Sequence, residues 1–271
     1  MRETLTRLAS GIVYVVLLIL AISNSLNSFL LLFGLFLVIA IYEFCNLVQI
    51  NNIIPFFLGF ALFSAHYYFN ISKPIEVLGL TITLLVSIKC LFFLFNDKVQ
   101  KLNSVSKYLY LIGYIILPFI IITKIPIGDQ NKYNPKIIIS IFILIWTNDT
   151  FAYIVGKSIG KHKLLERISP KKTIEGFIGG IIFTIIASYL IAKHYIQIKE
   201  VNTFIWIVIA SIVSIFGTLG DLIESKFKRI SGVKDSGKIM PGHGGVLDRL
   251  DSIIFAAPFV FLFYQILYYV S

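Results

Sequence analysis

The chain has 271 residues, 57% of them hydrophobic and 14% charged, with a mean hydropathy of +0.87. About a quarter of a soluble domain's residues are charged, and disorder requires low hydrophobicity, so both a water-soluble globule and a disordered chain are excluded. The net charge of +10 is read as the lysine and arginine excess of cytoplasmic loops in a polytopic membrane protein, with no nucleic-acid partner, and Cys45 and Cys90 as small apolar residues.

A membrane span needs roughly 20 apolar residues. Nine stretches qualify, at residues 9–23, 28–48, 53–70, 75–96, 107–123, 136–155, 174–192, 203–220 and 252–270. The first, with Arg2 and Arg7 ahead of it and Ala21-Ile22-Ser23 behind, also has the outline of a signal peptide. Its weak cleavage site and the eight spans beyond it favour a retained helix. Gly113 and Pro118 interrupt the fifth span and predict a kink. With the N-terminus in the cytoplasm, 17 of the 24 basic residues fall on that side and six on the other, Lys89 lying inside a span. That split satisfies the positive-inside rule. The expected fold is all-α, with about nine transmembrane helices and an active site on the cytoplasmic side of the cell membrane. Residues 1–135 are expected to form a scaffold and dimerisation region, and residues 136–271 the catalytic region.

Three polar features stand out from this background. Asp149, in Trp146-Thr147-Asn148-Asp149-Thr150, lies inside the sixth span, where a carboxylate is costly and marks function. Residues 156–172, GKSIGKHKLLERISPKK, carry six basic side chains against Glu166. Ser169-Pro170 reads there as a helix start whose N–H groups, with Lys171 and Lys172, suit an anion. The segment 221–251 holds Asp221, Glu224, Asp235, Asp248 and Asp251 among six basic residues, with His243 between them. Asp221 is expected to end the eighth span. Asp248 and Asp251, three residues apart, share a helix face at the mouth of the ninth. Carboxylates at two helix mouths suit Mg²⁺, whose shell substrate phosphates complete; Lys228, Arg229 and Lys234 then neutralise phosphate oxygens. Pro241-Gly242-His243-Gly244-Gly245 supplies backbone able to approach a ligand and to form an anion nest. Glu43 and Lys89 are intramembrane charges without an assigned role.

Ser225-Lys226-Phe227-Lys228-Arg229, Lys234-Asp235-Ser236-Gly237 and the run Pro241 to Asp251 together resemble the signature of phosphatidate cytidylyltransferases, also called CDP-diglyceride synthases. Met240 stands where that family usually has Leu, Ile or Phe. Asp149 to Tyr153 and Ser169 to Gly176 resemble the same family, Ile174 replacing a common aromatic, whereas residues 1–135 resemble it only as apolar spans. The resemblance implies CTP and phosphatidic acid as substrates, CDP-diacylglycerol and pyrophosphate as products, a requirement for Mg²⁺ with room for a second cation, and a homodimer in the bilayer. It assigns Asp221 and Asp248 as metal ligands and Asp251 and Asp149 as further carboxylates. Lys228, Arg229, Lys234 and Arg249 become phosphate contacts, His243 a pyrophosphate contact, and Asp235 a further catalytic group. Ser169, Lys171, Lys172, Ser225, Gly244 and Gly245 become substrate contacts. Two competing readings are a CTP-dependent polyprenol or phytol kinase, which would release CDP, and a transporter, which would place its polar groups near the midplane.

Overall fold

The computed structural model describes residues 2–69, 72–96, 102–127, 132–196 and 203–270, with side chains from 6 to 267. Of the residues counted above, Lys98, Lys101 and Lys199 lie outside these. Nine helical passes are present among the described residues: α1 (Arg2–Asn24), α2 (Leu26–Val48), α3 (Ile53–Tyr68), α4 (Lys73–Phe95), α5 with α6 (Ser104–Tyr110, Leu117–Lys124), α7 (Pro135–Ile159), α8 (Ile174–Leu190), α9 (Thr203–Ile230) and α10 (Leu247–Val270). Eight are long and apolar enough to cross a membrane; α3, with 16 residues, is shorter. The all-α polytopic reading holds.

The helix starts follow local chemistry. Ser25 and Ser28 form a capping box on α2. The side chains of Asn103 and Asn134 cap α5 and α7, with Pro135 at the first helical position. The expected break in the fifth pass is a π-helical stretch, Leu111–Ile116, between α5 and α6. Gly113 sits within it because a Cβ there would collide with Val86 of α4. Lys89 is satisfied inside the bundle, donating to Ser106 Oγ at 3.1 Å and lying over the Tyr110 ring.

Two boundaries differ from expectation, and both shape the site. α9 does not end at Asp221 but continues to Ile230. The apolar window closes near Gly220 because a polar face begins there, yet the opposite face remains buried. Phe227 packs on Phe93 at 4.7 Å and on Phe44 and Tyr110 at 5.3 Å between centroids. Asp221, Glu224, Ser225 and Lys228 follow the i, i+3, i+4, i+7 rhythm of one helix stripe. Lys226, on the other side, caps α4 by donating to the carbonyls of Phe93, Leu94 and Asn96.

The second difference lies between α7 and α8. Ser169-Pro170 does not start a helix. Residues Ser169–Thr173 form strand β2, which pairs antiparallel with β1 (Lys163–Leu165). The cap is Thr173, whose Oγ1 accepts from Gly176 N at 3.1 Å, and α8 begins at Ile174. The hairpin prevails because Lys163 donates to the Pro170 carbonyl at 2.7 Å and His162 is held by Glu175 of α8 through its backbone N–H and ring, Nδ1 to Oε1 being 2.7 Å. Thr173→Ala is therefore expected to cost about 1 kcal/mol and lower the melting temperature in detergent, whereas Ser169→Ala leaves it unchanged.

Candidate active site

The ends of α7, α9 and α10, the β1–β2 hairpin and one side of α1 enclose a cleft of 960 Å³. Asp149, Lys171, Lys172, Asp221, Lys228, Asp235, His243, Asp248, Arg249 and Asp251 all line it. Residues about 100 positions apart in the chain, Asp149 and Asp251, thus meet. Arg229, Lys234, Ser169, Ser225, Gly244 and Gly245 are not among the lining residues. Arg229 is exposed and donates to the Val233 carbonyl at 3.1 Å, and Lys234 is exposed. Ser225 is buried one helical turn behind Asp221, to which it donates at 3.2 Å.

The cleft has an acidic floor and a basic wall. Lys228 Nζ bridges Glu224 at 2.5 Å and Asp248 Oδ1 at 2.6 Å. Lys172 Nζ pairs with Asp221 Oδ2 at 2.6 Å. Burial alone would lower the basicity of Lys172; the Asp221 carboxylate outweighs it, with Asp149 and Asp251 adding to the effect, so the ammonium is held above the usual lysine value. Asp251 is buried, its Oδ1 accepting from Ser252 N at 2.7 Å. Asp149 faces the cleft on α7. Lys157, Lys163, Lys171 and Arg249 complete the basic side. Arg249 folds back onto the His243 carbonyl, Nη2 donating at 2.6 Å.

The glycine-rich loop has a different use from the anion nest expected for it. His243 N and Gly244 N donate to the Met240 carbonyl, Gly245 N to Asp248 Oδ2 at 2.7 Å, and Val246 N and Leu247 N to Glu43 at 3.1 and 2.8 Å. The anions held by the last three are the protein's own carboxylates. Asp248 Oδ2 also accepts from Ser236 N and Oγ, both at 2.9 Å. Gly244 has φ +86, in the left-handed region that favours glycine.

Three contributors were not legible as site residues. Glu43 lies on α2 about 200 positions from its partners, and its charge in an apolar span was the only signal. Glu224 is the buried fifth carboxylate, its Oε1 without a hydrogen-bond partner. The third is α1, whose Ser10 and Tyr14 line the cleft; Ser10 Oγ lies 2.9 Å from the Pro241 carbonyl and 2.7 Å from His243 Nδ1.

Among the described residues no three His, Cys, Asp or Glu side chains form a closed metal cage. Mg²⁺ does not require one. It is held by one or two carboxylates with waters and phosphate oxygens. Asp221, within α9, and Asp248, in the first turn of α10, are hard oxygen donors with ammonium groups as their present counter-charges, and they fit that demand.

His243 is held below the ordinary histidine value by burial and then by the Arg249 and Arg7 charges. The unfolded chain therefore takes up this proton first, and stability contributed by neutral His243 is lost as pH falls below 6.5. His243→Gln should flatten that part of the decline in melting temperature between about pH 7.5 and 5.5.

The sequence matches a family described as the cytidylyltransferase family over residues 5–267. It is 53% identical to a phosphatidate cytidylyltransferase of Staphylococcus aureus over 117 residues, which is 43% of this chain and 44% of that protein. It is 46% identical to one of Staphylococcus epidermidis over 130 residues, 48% and 49% of the two chains. It is 52% identical to one of Staphylococcus haemolyticus over 117 residues, again 43% and 44%. The chain spans about half the length of the curated relatives it matches.

Proposed function

The chain belongs to the cytidylyltransferase family, and from that premise we propose that it transfers the cytidylyl group of CTP to phosphatidic acid. The products are CDP-diacylglycerol and pyrophosphate. One observation carries the reading: an acidic floor and a basic wall meet in one cleft, at the ends of helices long enough to cross a membrane. Its volume is at the upper end for small-molecule sites, as a triphosphate and a lipid head group together require.

A phosphate oxygen of the lipid attacks the α-phosphorus of CTP. The new oxygen–phosphorus bond forms as the bond to the β-phosphate breaks, and pyrophosphate departs with the electron pair. The lipid is the nucleophile, so the chain supplies position and charge. Lys163, Lys171 and Lys172 of the hairpin meet one group of phosphate oxygens, and Lys228 and Arg249 meet another. Lys172 and Lys228 reach the substrate by exchanging Asp221 and Asp248 for phosphate. Asp221 and Asp248 would then hold Mg²⁺, with Asp149 and Asp251 beside them and within reach of a second cation. A bound dication draws charge from the phosphate oxygens as the transfer proceeds. The basic excess supports a cleft facing the cytoplasm, where CTP is, and the same reading has the lipid entering sideways from the inner leaflet. The homodimer implied by the resemblance belongs to the same reading.

Protein purified in detergent, given phosphatidic acid, α-labelled CTP and Mg²⁺, should place label in the lipid phase and pyrophosphate in the aqueous phase. Asp248→Asn, folded by its melting curve, should lose about 10²-fold or more in turnover. Aqueous CDP with unlabelled lipid would replace this reading with the kinase.

A further inference from the structure

Glu43 has 1% of its surface exposed and is not part of the cleft lining. It touches neither substrate space nor solvent, yet every polar atom it meets belongs to the segment that carries Asp248. Oε1 accepts from Val246 N at 3.1 Å. Oε2 accepts from Leu247 N at 2.8 Å and lies 3.2 Å from Ser236 Oγ. Val246 and Leu247 supply N–H groups at the start of α10, which have no partner within the helix. Ser236, itself buried, then grips Asp248 Oδ2 twice, through N and Oγ. With Gly245 N making a third contact, Oδ2 is saturated from behind. Oδ1 is left turned toward the cleft, where Lys228 now occupies it.

We propose that Glu43 is a positioning residue: through Ser236 and the first N–H groups of α10 it fixes which oxygen of Asp248 faces the cleft, and so sets the cation affinity of the site. The hydroxyl of Ser236 has one proton and two carboxylate neighbours. Glu43 Oε2 accepts from it at 3.2 Å and Asp248 Oδ2 at 2.9 Å, so one shared donor ties the two carboxylates together. Ser236 is thus the link, and Glu43 is the fixed post against which it is set. Gly245 completes the arrangement, because a Cβ there would collide with both Ser236 Oγ and Glu43 Oε1.

The inference rests on the reading of Asp248 as a metal ligand, so the test measures the cation directly. Mn²⁺ is titrated into purified protein without nucleotide or lipid, and free Mn²⁺ is counted by its paramagnetic resonance. Glu43→Gln, Ser236→Ala and the double variant are compared with the parent, each checked by melting curve. Partners that orient metal ligands typically set affinity by about 10- to 100-fold. Each single variant should weaken Mn²⁺ by that factor, and the double variant should be no weaker than the worse single one, because both act through one chain of contacts. In turnover, the Mg²⁺ concentration for half-maximal rate should rise while the KM for phosphatidic acid stays put, which a loss of general stability would not produce. Ser236→Ala keeps the cap on α10 and therefore reads the link even if Glu43→Gln fails to fold. Parental Mn²⁺ affinity in Ser236→Ala would overturn the proposal, as would strictly additive losses. A parent protein that binds no Mn²⁺ would overturn the metal reading beneath it.

Discussion

A carboxylate buried in an apolar helix bundle is tolerated only when donors replace the water it has lost. Glu43 meets that condition by reaching from α2 to the first N–H groups of α10 and to Ser236. The positive end of the α10 dipole faces the same charge. The contact is mutual, since the N–H groups of Val246 and Leu247 would otherwise lack acceptors in a place closed to solvent. Neither partner can move alone without exposing an unpaired polar group to an apolar surrounding. The orientation of Asp248, Arg249 and Asp251 therefore depends on a side chain from the second helix of the fold. The arrangement of the site thus includes the second helix of the fold.

The floor of the cleft has a second constraint. Five carboxylates, Asp149, Asp221, Glu224, Asp248 and Asp251, converge, and among the described residues Lys172 and Lys228 make close ion pairs with them. In a medium of low effective dielectric, like charges repel more strongly than in water. Lys172 and Lys228 stand closest to this floor, the other bases lie along the wall, and Glu224 Oε1 has no hydrogen-bond partner. Such a site attracts further positive charge. The two lysines are internal counter-ions that also line the cleft. On the proposed reading, Asp221 and Asp248 would hold a dication and Lys172 and Lys228 would turn to phosphate, so metal loading and phosphate binding would be coupled by charge balance.

The spans, their number and the clustering of polar residues were readable because hydropathy reports directly on what lipid tolerates. The exact helix ends were not. Hydropathy closes α9 near Gly220, yet Leu222, Ile223 and Phe227 keep one face of the next ten residues in the core, so the helix continues where the membrane signal stops. At Ser169-Pro170 two local signals competed. A serine before a proline favours a helix start, but Thr173 offers the same cap four residues later, and the pairing of Lys163 with Thr173 spends the intervening residues in a strand. The Pro241–Gly245 loop reads as a nest for a ligand anion, but its N–H groups go to the Met240 carbonyl and to Asp248, partners that only the folded chain supplies. Glu43 was visible as a charge in a span and no more, because its partners lie some 200 residues away and nothing local announces them.

The division of labour between rigid and adaptable parts follows from where the charges are attached. The acids stand on α7, α9 and α10, of which α9 packs extensively on α10 and less so on α7. The cations Lys163, Lys171 and Lys172 stand on a two-stranded hairpin between α7 and α8, and the first two are exposed. A metal ligand must be held within a fraction of an ångström, and packed helices with locked hydrogen bonds achieve that. Phosphate contacts must instead follow a group whose charge and position change during transfer, and a flexible lysine stem suits that better than a fixed fork. On the proposed reading, the restraint on Asp248 and the flexible stems of the hairpin lysines are therefore two halves of one requirement, a fixed ligand set beside phosphate contacts that can follow the group transferred.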